Sequence, residues 1–428
     1  MDELYRLFCP ACRVEQAAEA QRCCACGGCL GVALSRVLAP GEGHPFADVA
    51  GLGAMWRHNP VLPIAKPDSI VSLGEGGTPC IQATHLGAEA GVSVWLKNEA
   101  ANPTGSFKDR QVSVGISHAR DMGEPDTPEA CPPSVWRGGG ATHFYVVSSG
   151  NVAAAAAAYS ARAGATCWVI APASAPVEKL LQAQLCGARV VRVESASAEQ
   201  LFRLAEEIAA ELGWHSLSTA ARASPFNVVG ARTIAAEILE QMPPPDWVIA
   251  PVGGGGLVGS LWQGFQDAQR LRPELRLPRL AAVQAAGCAP LVRAVEQGWS
   301  ATEALANPWP QVSTIAGGLA DDIPFDAHLA VPAIRESEGV ALAVSDDEIR
   351  SAQRLLGERE GLFIEPSGVV SVAGPLRLIE QGGISRGETV CCLLTGSGLK
   401  DPASVGDMPA PPAVPPDMES LRDFVGGN

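Results

Sequence analysis

Short apolar runs rich in β-branched residues alternate along the chain with Ala-rich stretches whose apolar positions recur at helical spacing. The runs at 92–97, 144–147, 166–170, 189–193, 247–252, 280–284 and 390–395 predict strands. Several end in Gly- or Ser-rich turns that open into helical patterns, one of them KDRQVSVGISHARDM, which stops at Gly123. This alternation predicts an α/β protein with open, largely parallel sheets, and in such sheets these turns are where ligands bind.

The pattern is interrupted in three places. Residues 1–35 stand apart by composition and are followed by Pro40, Gly41, Gly43 and Pro45, which predicts a small module ahead of a main region at 36–402. Residues 123–141, with three consecutive glycines and several prolines, read as a surface insertion. From Ala403 to the end the chain is Pro-rich and reads as a flexible tail with a short helix at 418–425. A run without charge lies between Arg137 and Arg162, but it holds Thr142, His143, Ser148, Ser149 and Asn151, polar groups that lipid leaves unsatisfied. It reads as strand, loop and helix, not as a membrane span.

At 428 residues, with 47% apolar and 18% charged positions, the chain has core enough for two or three folding units. A net charge of -15 with no Lys/Arg-rich run makes nucleic acid a poor partner. The opening MDELYRLFCPAC lacks the basic-then-apolar order of a secretory signal, so the expected location is cytoplasmic. Of thirteen cysteines, six fall within residues 9–29, a clustering that favours metal over a disulfide framework.

Four segments carry chemistry. In NPTGSFKDR, 102–110, Ser106 is expected to cap a helix with Asp109 closing a capping box, leaving Lys108 in the first turn. There the helix dipole lowers the ammonium pKa, as amine nucleophiles require. SSGN, 148–151, lies between a strand and an alanine helix and offers amides to a carboxylate, with the Asn151 side chain beside them. In PVGGGGLVGS, 251–260, Gly253, Gly254, Gly255 and Gly256 present unobstructed amides to a phosphate; the segment matches neither a Walker loop nor a dinucleotide fingerprint. LLTGSGLKD, 393–401, places Thr395 at a strand end, where its hydroxyl either meets a ring nitrogen or only caps the turn.

Taken together and in this order, the four segments resemble the fold-type II pyridoxal-phosphate enzymes, the tryptophan-synthase-beta-like group, and within it the threonine synthases, over roughly residues 70–401. SLGEGGTPC, 72–80, resembles the segment preceding the first domain crossing of those enzymes. The resemblance implies a two-domain α/β fold, with a small subdomain at about 104–223 that closes over substrate, and a homodimer. It implies pyridoxal 5'-phosphate held as a Schiff base by Lys108, which also removes the α-proton, with Phe107 near the ring. Asn151 is implied at the 3'-oxygen, Gly253 to Gly256 at the phosphate, Thr395 at the pyridine nitrogen, and Ser148, Ser149 and Gly150 at the carboxylate of a small amino-acid substrate. Some members of the group carry a zinc ribbon. Here Cys9, Cys12, Cys23 and Cys26 form two CxxC knuckles suited to structural zinc, and Cys29 offers another register.

The chain departs from the threonine-synthase pattern in one segment, SPFN at 224–227, where Asn227 stands in the basic position of an NPxR-type motif that helps hold the substrate phosphate. Arg222 and Arg232 are the nearby substitutes. GGGGL and FIEPSG, 363–368, look more like serine/threonine ammonia-lyases. Three readings therefore stand. The first is elimination and hydration of O-phosphohomoserine to threonine. The second is a serine/threonine ammonia-lyase or β-replacing synthase. The third is a non-catalytic scaffold docking through its ribbon, against which an intact Lys108, Asn151 and Thr395 weigh.

Overall fold

The computed structural model describes residues 5–9, 12–16, 24, 30–34, 54–64, 66–122, 143–194, 198–406 and 408–426. The expected insertion at 123–141 lies outside them.

The chain begins with a small antiparallel sheet in which β1 (Tyr5–Phe8) lies between β2 (Glu15–Gln16) and β3 (Gly31–Leu34). Among the described residues the module shares its core with the rest of the chain. Tyr5, Leu7, Cys9, Leu30 and Val32 share one apolar cluster with Met55, Trp56, Val114 and Phe226. Next come β4 (Cys80–Gln82) and β5 (Ser93–Asn98), paired antiparallel, and then the helix α1 (Lys108–Asp121).

The chain now builds a parallel four-stranded sheet from β6 (His143–Val147), α2 (Asn151–Arg162), β7 (Thr166–Pro172), α3 (Val177–Leu185), β8 (Arg189–Val193), α4 (Ala198–Leu212) and β9 (His215–Ser216), with strand order β8-β7-β6-β9. Ala153 to Ala157 of α2 are all buried, and these small side chains let the helix pack closely on α1 and on its own sheet. The uncharged run from 137 thus becomes strand, turn and helix where it is described, and among the described residues no helix is long and apolar enough to cross a membrane. β8 is an edge strand, and its exposed Arg189 and Arg192 suit that place.

The remaining elements complete a six-stranded sheet. They are α5 (Arg232–Gln241), β10 (Trp247–Pro251), α6 (Gly256–Leu271), β11 (Arg279–Ala285), α7 (Pro290–Glu296), α8 (Ala301–Ala306), α9 (Ala327–Glu336), β12 (Val340–Val344), α10 (Asp346–Glu360), α11 (Pro366–Glu380) and β13 (Thr389–Leu394). A last helix, α12 (Met418–Gly426), follows the Pro-rich stretch, where a short helix was expected. The order β12-β11-β10-β13-β5-β4 is parallel except for β4. The large sheet is therefore mixed, not uniformly parallel. β10 and β13 lie in its middle and are almost wholly buried, which is why they read as unbroken apolar runs. Each expected strand forms to within a few residues. β1, β2, β3, β4, β9 and β12 went unforeseen, most of them being short, and VALAV of β12 being an apolar run without period-2 alternation.

The expected capping box at Ser106 does not form. Phe107 occupies the N-cap in helical conformation with no side-chain cap. Asp109 turns back to accept the Thr104 amide at 3.2 Å and its hydroxyl at 2.9 Å, bracing the loop that precedes Lys108. Ser106 pairs through its backbone with Gly396 and so ties α1 to the end of β13.

Candidate active site

The ends of β6, β10 and β13 and the start of α1 surround a cleft of about 710 Å³. Lys108, the first residue of α1, stands at its floor, where its Nζ donates to Thr219 Oγ1 at 2.8 Å and Gln111 Oε1 at 3.2 Å. Both partners are neutral. Burial lowers the Lys108 pKa to about 8 against the opposing pull of Asp321, Asp326 and Glu365. The lowering expected from sequence is present, but loss of water around the ammonium is its principal cause. Phe107 presents its ring to the same amine, 4.4 Å from Nζ to centroid.

Asn151 opens α2, with Ser148, Ser149 and Gly150 in the turn before it. The Ser148 hydroxyl accepts the Gly150 amide at 3.2 Å, and Asn151 Nδ2 donates to Glu365 Oε1 at 2.7 Å. Glu365 precedes α11, is 9% exposed, and burial raises its pKa although Asn151, Lys400 and Lys179 favour its charge. Two more contacts cross the cleft mouth: Lys179 Nζ to Asp401 Oδ2 at 2.9 Å and Lys400 Nζ to Gln182 Oε1 at 2.8 Å. Together they fasten α2 and α3 to the large sheet's side of the cleft.

Gly253 to Gly256 form the turn between β10 and α6. Gly255 has φ of 104°, a left-handed conformation that favours glycine, and caps the sixteen-residue α6. Gly253 and Gly256 are crowded, because a Cβ there would come within 2.6 Å of Asp321 and 2.5 Å of Asp326, whereas Gly254 has room for one. Thr395 follows β13, is 5% exposed and lines the cleft. An amine with neutral partners, a glycine cradle on a helix N-terminus and a neutral hydroxyl opposite are the donor set that a phosphorylated pyridine aldehyde needs, so the residues fit pyridoxal phosphate.

Neither Arg222 nor Arg232 is among the residues that line the cleft. Asn227 is buried and its Nδ2 holds the carbonyls of Ser216 at 3.2 Å and Ser218 at 2.7 Å, fixing the strand end that delivers Thr219 to Lys108. Arg232 is buried under the N-terminal module, hydrogen-bonded to Gln263 and the Val32 carbonyl and paired with Asp267. Arg222 stacks on Phe325, 5.6 Å from guanidinium carbon to ring centroid. Sequence reading missed Thr219, Asp321, Asp326 and Glu365; only FIEPSG had drawn notice, and without a role for its carboxylate.

In the N-terminal module the thiols of Cys9, Cys12 and Cys24 converge to within 4.8 Å of one another, with Cys12 and Cys24 at 3.5 Å. Among the described residues Cys24, which lies between the two cysteines of the expected second knuckle, is the third thiol of this group. Cys23, Cys26 and Cys29 lie outside the described residues.

A family model described as pyridoxal-phosphate dependent enzyme matches residues 71–396. Threonine synthase of Methanocaldococcus jannaschii is 36% identical over 373 residues, 86% of this chain and 86% of that protein. Threonine synthase of Mycobacterium tuberculosis (strain ATCC 25618 / H37Rv) is 35% identical over 377 residues, 87% of this chain and 96% of that protein. Among solved structures, maize serine racemase is similar with a TM-score of 0.62 at 22% identity, over 82% of this chain and 92% of that one. The processed form of threonine deaminase isoform 2 from Solanum lycopersicum is similar with a TM-score of 0.59 at 21% identity, over 77% and 86%. At these identities the two structures establish the fold.

Proposed function

We infer the function of this chain from the family to which it belongs, the pyridoxal-phosphate dependent enzymes: it is a lyase of threonine-synthase type, and the reaction we propose for it turns O-phosphohomoserine into threonine and phosphate. The observation that carries the reading is the Lys108 amine, held by neutral partners at the floor of a cleft whose opposite wall is a four-glycine turn.

When bound, the cofactor supplies an electron sink for a carbanion at the substrate's α-carbon. The chain's own residues do the rest. Lys108 anchors the cofactor aldehyde and then takes the α-proton on Nζ, for which a pKa of about 8 leaves a usable unprotonated fraction at neutral pH. The amides of Gly253 to Gly256 and the positive end of α6 hold the cofactor phosphate. Thr395 would hold the pyridine nitrogen with a neutral hydroxyl, a partner that would favour departure of a leaving group over transamination. Ser148, Ser149 and Gly150 hold the substrate carboxylate, while Asn151, oriented by Glu365, contacts the 3'-oxygen. Residues at about 104–223 form the subdomain we propose to close over substrate, excluding water. The homodimer is part of the same proposal, and light scattering decides it.

A second reading, ammonia loss from serine or threonine or β-replacement, is favoured by the cleft's charge. Lys108, Lys179 and Lys400 are its only cationic lining residues among those described, against Glu178, Asp321, Asp326, Glu365 and Asp401. Incubating the holoenzyme with O-phosphohomoserine, threonine, serine and O-phosphoserine separately, with phosphate, ammonia and keto acid followed in parallel, separates the two. Phosphate and threonine from O-phosphohomoserine are expected. Keto acid and ammonia from serine or threonine, with O-phosphohomoserine inert, replace the first reading by the second.

We also propose that Cys9, Cys12 and Cys24 bind structural zinc with a fourth thiol from Cys23, Cys26 or Cys29. Protein purified under reducing conditions is expected to carry about one zinc per chain, and Cys24→Ser to lose most of it. Wild-type protein free of metal removes the ion from this account.

A further inference from the structure

The glycine turn is not a purely electropositive cradle. Asp321 and Asp326, in the loop between the cleft and α9, press on it from one side. The Asp321 carboxylate lies against the turn, its Oδ2 2.6 Å from the place a Gly253 Cβ would take and 3.6 Å from that of a Gly254 Cβ. Asp326 sits beneath the second half of the turn. Its own amide donates to the Gly254 carbonyl at 2.7 Å, and its Oδ1 accepts the Ala221 amide at 2.8 Å. Asp326 is thereby committed to the scaffold, whereas the Asp321 carboxylate stands beside the stretch of turn that a phosphate would use.

The charged and titratable groups around Asp321 offer it little relief. Lys108 on α1 is the cation that acts on it, while Asp322 and Asp326 add negative charge, and the Cys288 thiol donates to its backbone carbonyl at 3.2 Å. A phosphate with two negative charges arriving on this turn meets a carboxylate across a few ångströms of poorly hydrated space, where repulsion between like charges is far stronger than in water. A protonated carboxyl in the same place offers the phosphate an O–H donor instead.

We propose that Asp321 is a proton-accepting partner of the cofactor phosphate: seating the phosphate on the Gly253 to Gly256 turn draws one proton from solvent onto the Asp321 carboxyl, which then donates a hydrogen bond to a phosphate oxygen. The ligand-free carboxyl is already poised for this, since burial has raised its pKa to about 6. Asp326, raised by burial to about 7, is the neighbouring carboxyl that competes for the same proton, and its Oδ1 stays on the Ala221 amide. By linkage, a phosphate that raises the Asp321 pKa further binds progressively less well as pH climbs above the ligand-free value.

The inference rests on the reading of this turn as the phosphate cradle, and the test keeps the two apart. Full-length protein stripped of cofactor is titrated with pyridoxal 5'-phosphate and, separately, with pyridoxal from pH 7 to 8.5, where the ligand phosphate is already doubly charged. Binding is read from the cofactor's visible absorbance and from calorimetry. Titration of Lys108 affects both ligands alike, so the ratio of their affinities isolates the phosphate. In wild-type protein that ratio should fall by several-fold, up to about tenfold per pH unit. In Asp321→Asn it should stay nearly flat, with tighter binding of the phosphorylated ligand at pH 8.5. Calorimetry of wild-type protein in buffers of different ionisation enthalpy should show close to one more proton taken up with pyridoxal 5'-phosphate than with pyridoxal, a readout that needs no variant. Equal affinity for the two ligands at every pH overturns the cradle and this inference together. A clear preference for the phosphorylated ligand, with the same pH slope in wild type and Asp321→Asn or with no extra proton, overturns the inference alone.

Discussion

Lys108→Ala is expected to yield a folded protein that lacks the visible absorbance of bound cofactor and has lost at least about 10³-fold in turnover, the scale of a missing positioned base. The loss is twofold, because one amine both anchors the cofactor and moves the α-proton. The cavity left is small and opens on the cleft, so the fold should survive, and unchanged far-ultraviolet circular dichroism checks that it has. The same amine sets a pH dependence. Burial has lowered its pKa to about 8, and only the unprotonated form attacks an aldehyde. Cofactor capture by the stripped wild-type protein, followed by stopped-flow absorbance, should speed up as pH rises toward 8 and level off above it. A yellow, active Lys108→Ala protein removes Lys108 from the centre of the reaction.

Arg110→Met should be the most destabilising single change in the large sheet's surroundings, at about 3–5 kcal/mol, because it strips Glu99 of its ion pair and leaves Lys97 as the one cation for two buried carboxylates. Arg110 is fully buried two residues beyond Lys108. It grips Glu99 side-on, Nε to Oε2 at 2.7 Å and Nη2 to Oε1 at 2.8 Å, and its Nη1 reaches Glu237 Oε1 at 2.7 Å. Lys97 balances the set, donating to Glu237 Oε2 at 2.6 Å and to the Thr78 carbonyl at 2.7 Å. Two cations and two carboxylates thus join β5, α1 and α5 in a neutral cluster. Arg110→Lys keeps the charge but not the two-pronged geometry, and should recover part of the loss.

Burial opposes ionisation of Glu237 and Glu99, yet Arg110 and Lys97 overcome it and hold both pKa values below the usual carboxylate range. A depressed folded-state pKa contributes stability that is fully present above the unfolded value and is lost as pH falls through the folded one. The cluster should therefore hold at mildly acidic pH and fail only in strong acid. Urea unfolding of wild type and Arg110→Met at pH 7 tests the magnitude, and a difference under about 1 kcal/mol rejects the role given to this cluster. Since the cluster also sets where α1 begins, Arg110→Met should bind cofactor less firmly even where it remains folded.

Much of this protein was legible along the chain because it is encoded locally. The strand runs, the helices that follow them, the lysine at the start of α1 and the glycine turn at the start of α6 depend on spacing within a few residues, and each stands where the pattern put it. Local rules also misled. Ser106 and Asp109 have the spacing of a capping box, but β13 claims the Ser106 backbone and Thr104 the Asp109 carboxylate. CxxC spacing pointed to Cys23 and Cys26, which lie outside the described residues, and gave no sign that Cys24 stands with Cys9 and Cys12.

What the tertiary structure alone decided is the company each of these groups keeps. Lys108 meets Thr219 from beyond β9, and Asp321, Asp326 and Glu365 from loops of the large sheet, all more than a hundred residues away in sequence. Asn227 looked like a lost phosphate ligand and proved to be a buried brace for the segment that carries Thr219. No spacing rule reaches such pairs. A carboxylate's partner and pKa are set by which elements pack together and how much water they exclude, and that is fixed only when the two sheets close around the cleft.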